Sequence, residues 1–146
     1  MSALSRECVV IPIDFSEESQ NALRVGVELT GDVRKVHLVH VLPPLEAISP
    51  AAVWGDLTDD QREASVQKFA RGFLAKNGLA DAPLEVVVGD PVKEITRYAE
   101  KLKSDLIIVS SHGYHGFKRM ILGSVAEGVI RHAHCAVLVL RRTDAE

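Results

Sequence analysis

Five short runs of apolar, largely β-branched residues punctuate the chain: CVVIPI from Cys8, VHLVHV from Val36, LEVVV from Leu84, LIIVSS from Leu106 and AVLVL from Ala136. A strand with one solvated face alternates apolar and polar side chains, whereas a strand covered on both faces has no position that must be polar. Near-continuous apolarity in runs this short therefore predicts strands of a parallel sheet with helices on both faces. The intervening stretches read as helices. Ser16 followed by Glu17 and Glu18 has the cap and acidic first turn of a helix start, with Ala22, Leu23, Gly26 and Leu29 or Thr30 at helical spacing. A second helix is expected from Thr58, with Asp59 and Asp60 in its first turn, Ala64, Phe69 and Phe73 on its apolar side, and an end at Asn77 and Gly78. Asp90 and Pro91 pair an N-cap with proline at the first helical position, ahead of Val92, Ile95, Ala99 and Leu102. A fourth helix is expected to open at Ser124, Ser and Glu127 forming a capping box. The order βαβαβαβαβ predicts an α/β fold, an open five-stranded parallel sheet in one domain spanning residues 1–146. Residues 43–57 form the one long irregular stretch. It is apolar and punctuated by proline, which suits a lid, a partner contact, or a loop packing Val53 and Trp54 onto the body.

Composition excludes several function classes. No apolar run approaches the roughly 20 residues of a membrane-spanning helix, and the amino terminus lacks the pattern of a secretion signal, so a cytoplasmic protein is expected. A net charge of −3 gives no electrostatic reason to bind nucleic acid or an anionic membrane. Any anionic ligand must be captured locally. Cys8 and Cys135 are too few for a disulfide scaffold and read as small core residues. They would start strands separated by about two inter-strand spacings, roughly 9.6 Å, beyond the disulfide limit of about 7 Å.

In doubly wound sheets ligands bind outside the carboxyl ends of the strands, where the strand order reverses. The first strand ends in Pro12, Ile13 and Asp14, which puts a carboxylate at the rim. The fourth ends in Ser110, Ser111, His112 and Gly113, before a loop that runs to Gly123 and Ser124. If these strands are neighbours at the switch point, the two clusters share one crevice. The loop leads into a helix whose free amides and dipole favour an anion. Gly113 and Gly123 permit positive φ and close backbone approach, while Lys118 and Arg119 add positive charge. The same glycines also suit plain tight turns, with Ser124 serving only as a cap.

The stretch DLIIVSSHGYHGFKRMILGSVAEGVIRHAHCAVLVLR over residues 105–141 closely resembles the carboxy-terminal signature of universal stress proteins. VVIPIDFSEESQNAL resembles their first strand and helix, and VGDPVKEI extends the match to nearly all of the chain outside residues 43–57. The resemblance implies a Rossmann-like sheet of order 3-2-1-4-5 and a homodimer through the last strand, Ala136–Leu140. In many members it also implies ATP, held by glycine, two residues, glycine, nine residues, glycine, then Ser or Thr. Here Gly113, Gly123 and Ser124 keep that motif, and Ser110 replaces its first glycine, where it either crowds the ribose or donates a hydrogen bond to a phosphate. By likeness Pro12, Ile13 and Asp14 lie beside adenine and ribose and Val41 against adenine, with His112, Gly113, Gly123, Ser124 and Val125 around the phosphates. Asp14 can hold a magnesium or manganese ion bridging phosphates. Non-binding members typically lack the glycines altogether. The resemblance thus implies an ATP-binding stress or signalling module serving an unidentified client protein. A nucleotide-free dimeric interaction protein and a slow nucleotide hydrolase are the alternatives.

Catalysis has little support, since neither a Walker A run nor a G-x-S-x-G elbow is present. No metal site is expected. His132, His134 and Cys135 sit at a helix end, where histidines commonly meet the dipole and terminal carbonyls. His37 and His40 have opposite strand parity and cannot share an ion.

Overall fold

The computed structural model describes residues 4–44, 58–111 and 122–141. In chain order the elements are β1 (Val9–Pro12), α1 (Glu17–Thr30), a 3-10 turn (Val33–Lys35), β2 (Val36–Leu42), α2 (Asp59–Lys76), β3 (Leu84–Val88), α3 (Pro91–Leu102), β4 (Leu106–Ser110), α4 (Ser124–His132) and β5 (Ala136–Leu140). All strand pairs are parallel, with Val9 opposite both Val36 and Leu106, Leu38 opposite Leu84, and Leu106 opposite Ala136. The sheet runs β3-β2-β1-β4-β5, the Rossmann-like order that the resemblance implies.

Side chains of β1 divide between two cores. Val9 and Ile11 meet Leu23, Val36, Leu38 and Leu74 on one face. Val10 meets Val39, Ile95, Ala99, Ile107 and Val129 on the other. Burying one such side chain is worth about 1.5–3 kcal/mol, so neither face of a central strand tolerates a polar residue, and the runs read as continuous.

Local chemistry sets the helix ends. Ser16 caps α1 by accepting the Ser19 N–H, and Gly31, at φ 70°, closes it in the left-handed region. Thr58 and Gln61 form a reciprocal capping box on α2. The buried stripe of α2 is Ala70 and Leu74, not the expected Ala64 and Phe69. Ala64 is exposed, Phe69 is 63% exposed, and Phe73 is only partly covered. Asp90 caps α3 by accepting the Lys93 N–H, with Pro91 inside the first turn and Ile95, Tyr98 and Ala99 buried. The capping box expected on α4 does not form. Gly123 is the N-cap, no side chain among the described residues caps this helix, and Ser124 is its first residue. The reason is backbone bonding: the Gly123 carbonyl already accepts the Glu127 N–H, which defines the cap position one residue earlier.

Helices α3 and α4 pack unusually closely. A Cβ at Gly128 would lie 2.5 Å from Val92 Cγ2, so only glycine admits this approach. The contact joins the first turn of α3 to the middle of α4. The cysteines are free and half-buried rather than enclosed in the core. Burial, with Asp105 and Cys135 nearby, pushes the Cys8 thiol up, which disfavours the reactive thiolate.

Candidate functional site

Strand order reverses between β1 and β4, so the connections leaving their carboxyl ends diverge and a crevice opens between them. A cleft of about 310 Å³ lies there, within the range of small-molecule sites. Pro12, Ile13 and Asp14 line it from the end of β1, Val41 from β2, Ser110 from the end of β4, and Gly123, Ser124 and Val125 from the start of α4. These residues lie far apart in sequence and share one cleft. His112, Gly113, Lys118 and Arg119, with Val53 and Trp54, lie outside the described residues.

Much of the cleft lining is apolar, supplied by Val39 and Val41 of β2, Val109 of β4 and Ile95 of α3. The first turn of α4 also lines it; its leading amides have no intrahelical acceptor and its N-cap offers no side chain. Helix α3 also reaches the cleft with Pro91, but its first turn is closed by the Asp90 carboxylate, which accepts the Lys93 N–H at 2.9 Å. Of these two helix starts, that of α4 is the one without a side-chain cap among the described residues, and so the one available to an anion. Gly123 itself sits at φ −71° and ψ 159°. This is extended backbone open to any residue, so the expected need for positive φ does not apply there. Its N–H donates to the Ser111 carbonyl at 2.5 Å, and the Ser111 N–H donates to the Leu140 carbonyl at 2.9 Å. These bonds tie the start of α4 to the ends of β4 and β5.

Asp14 is the one carboxylate lining the cleft among the described residues. Its Oδ1 accepts the Ser16 N–H at 3.0 Å, the Ser16 hydroxyl at 2.5 Å and the Ser19 hydroxyl at 2.6 Å. Burial pushes the carboxyl up, the two hydroxyls and the backbone N–H groups pull it down, and the balance holds it below the ordinary 3.8. Asp14 is therefore a carboxylate at neutral pH. The next residue, Phe15, adopts φ 67°, a conformation that is strained for a bulky side chain and costs on the order of 1–3 kcal/mol. Its ring packs against His40, Phe69 and Phe73 at centroid distances of 4.9, 5.2 and 5.5 Å. His40 Nδ1 lies 2.6 Å from the Ile13 carbonyl. This packing holds the turn that presents Asp14.

Ser19, Val39, His40, Pro91, Ile95, Val109 and Ala126 also line the cleft and were not among the site residues expected from sequence. Val39 shares the parity of Val41, which is a usable signal. The arrival of Ser19 and Ile95 depends on the three-dimensional topology. Among the described residues no three His, Cys, Asp or Glu side chains could hold a metal ion.

A doubly wound parallel sheet, with a cleft at its switch point lined by apolar strand ends and a helix start, defines the class of Rossmann-like α/β folds with a candidate ligand cleft. A model of the universal stress protein family matches residues 6–141, and this chain belongs to that family. It is 33% identical over 144 residues to universal stress protein MJ0531 of Methanocaldococcus jannaschii, spanning 94% of this chain and 84% of the relative. It is 31% identical over 156 residues to MJ0577 of the same organism, spanning 94% and 96%. The solved structure of MJ0577 superimposes with a TM-score of 0.75 at 26% identity, over 95% of this chain and 99% of that one. A universal stress protein solved in complex with cAMP has the same fold, with a TM-score of 0.65 at 24% identity over 95% and 99%.

Proposed function

We propose that this chain binds ATP in the switch-point cleft and works in the cytoplasm as a homodimeric stress or signalling module. It binds its nucleotide rather than turning it over. The observation that carries this reading is the convergence of an apolar slot and an uncapped helix start on one cleft of about 310 Å³. The slot formed by Val39 and Val41 suits a purine. Asp14 suits a ribose hydroxyl, and the amides at Ser124 and Val125 suit phosphate oxygens, the Gly123 N–H being given to the Ser111 carbonyl. A relative in fold holds cAMP, another adenine nucleotide. A magnesium or manganese ion accompanying the phosphates would be held mainly by phosphate oxygens and water.

Assembly is supported by the edges of the sheet. Val137 to Leu140 remain only half-buried, whereas β4 beside them is buried over Leu106–Val109, so β5 offers an apolar edge that a second copy would cover. The opposite edge, β3, carries Glu85 within its run, a charge that discourages pairing. A second reading, a nucleotide-free interaction protein, is favoured by Ser110, which puts a side chain on the cleft wall where the family motif has glycine. Titration calorimetry of the purified chain with ATP decides between them. Saturable binding of one ATP per chain supports the nucleotide reading, and absence of binding with and without magnesium refutes it.

A further inference from the structure

We propose that Ser19 is a positioning residue for ligand capture, its hydroxyl fixing Asp14 so that Oδ1 is occupied by protein donors and Oδ2 alone is offered to the ligand. This rests on the reading of the cleft as a nucleotide site. Ser19 is 4% exposed, lines the cleft and holds Asp14 at two points. Its hydroxyl donates to Asp14 Oδ1 at 2.6 Å and accepts the Asp14 N–H at 3.0 Å. That closed ring ties the side chain of Asp14 to its own backbone. With the Ser16 N–H and hydroxyl added, Oδ1 receives three donors, more than the roughly two lone pairs one carboxylate oxygen presents. Oδ2 accepts no hydrogen bond among the described residues.

The hydroxyl of Ser19 is not needed to cap α1. The cap is the Ser16 hydroxyl, which accepts the Ser19 N–H at 3.3 Å, a bond that alanine at position 19 would keep. The usual residue three places after a cap, Glu or Gln, reaches back to the cap's N–H. Ser19 is too short for that and reaches Asp14 instead. A carboxylate held by one oxygen meets a ligand through a single contact, which suits a hydroxyl or N–H donor better than a bidentate clasp on a metal ion.

Among the described residues, the remaining ionisable groups around this turn are few, and His40 is the other titratable side chain lining the cleft. Glu17 and Glu18 lie in the first turn of α1, and Asp90, exposed at the start of α3, is engaged by the Lys93 N–H. None of them contributes to the lowering of Asp14, which comes from hydrogen bonds.

The test measures ATP affinity by calorimetry for the parent, Ser19→Ala, Ser19→Thr and Asp14→Ala between roughly pH 4 and pH 8, with melting curves to confirm folding. Carbon NMR follows the Asp14 carboxyl of the parent and Ser19→Ala without nucleotide. Ser19→Ala is expected to bind roughly tenfold more weakly at neutral pH, the scale of one hydrogen bond to a charged group. Its binding should also fail at a higher pH than the parent's, because loss of a donor raises the Asp14 carboxyl, and Ser19→Thr should restore both. The role of Ser19 is overturned if Ser19→Ala matches the parent in affinity, pH profile and carboxyl titration while Asp14→Ala is weakened. If Asp14→Ala also matches the parent, Asp14 leaves the site and the proposal falls with it. A parent that binds no ATP overturns the nucleotide reading itself together with this role.

Discussion

Replacing Gly123 separates the space a ligand needs from the conformation the backbone needs. Because Gly123 lies at φ −71° and ψ 159°, valine and serine meet no left-handed penalty there. What changes in the protein alone is the cap. Glycine is a better N-cap than valine by about 1 kcal/mol and slightly poorer than serine. Gly123→Val should therefore lower the melting temperature by roughly 2–8 °C for a domain of this size, and Gly123→Ser should leave it level or slightly raised. Affinity should behave differently. A branched side chain at the start of α4 fills space beside the free amides of Ser124 and Val125, and each hydrogen bond to a charged phosphate oxygen is worth about 1.5–3 kcal/mol. Displacing the phosphates from two amides then costs on the order of 100-fold or more in ATP affinity. Adenosine, which lacks phosphates, should lose far less. Calorimetry with both ligands, beside thermal melts, reads each quantity separately. A folded Gly123→Val protein that binds ATP as tightly as the parent would refute placement of the phosphates on α4, and equal losses for ATP and adenosine would point to general damage.

Asp14 has a folded-state pKa below its ordinary 3.8, so it contributes stability above the unfolded value, and that contribution disappears as pH falls through the folded one. Chemical denaturation of Asp14→Asn should accordingly show a smaller acid loss than the parent below about pH 4, and a steeper loss would contradict the hydrogen-bond pattern. At Gly128, alanine gains about 1 kcal/mol in helix propensity but places its Cβ 2.5 Å from the stiff Val92 side chain, an overpacking cost of about 1–3 kcal/mol. Net destabilisation of about 1 kcal/mol is expected, relieved by adding Val92→Ala, and unchanged stability in Gly128→Ala would show that α3 and α4 part freely. Light scattering at micromolar concentration should give twice the chain mass, and a monomer would leave the β5 edge without the proposed partner.

The strands were legible because central strands of a parallel sheet face apolar neighbours on both sides, which leaves an unbroken apolar run such as LIIV in β4. The starts of α1, α2 and α3 were legible because their caps are local chemistry at Ser16, Thr58 and Asp90. The start of α4 misled by one residue. Ser124 and Glu127 have the spacing of a capping box, but the carbonyl of extended Gly123 takes the first helical bond. On α2, two phenylalanines suggested a buried side, yet Phe69 is mostly exposed and serves as an edge partner for Phe15. The rim clusters at Asp14, Ser110 and Gly123 could be read from strand ends together with a family resemblance. The roles of Ser19, Ile95 and Pro91 could not, since each reaches the cleft only through the packing of α1 and α3 against the sheet.

The most direct test of nucleotide capture at the switch point is two-dimensional NMR of the isotope-labelled chain titrated with ATP. Amide signals of Asp14, Val41, Ser110 and Gly123 to Ala126 should shift saturably, while those at the opposite ends of the strands, such as Cys8, Val36 and Asp105, stay in place. Saturable shifts confined to those opposite ends, or no shifts at any ATP concentration, would contradict the placement of the ligand in this cleft.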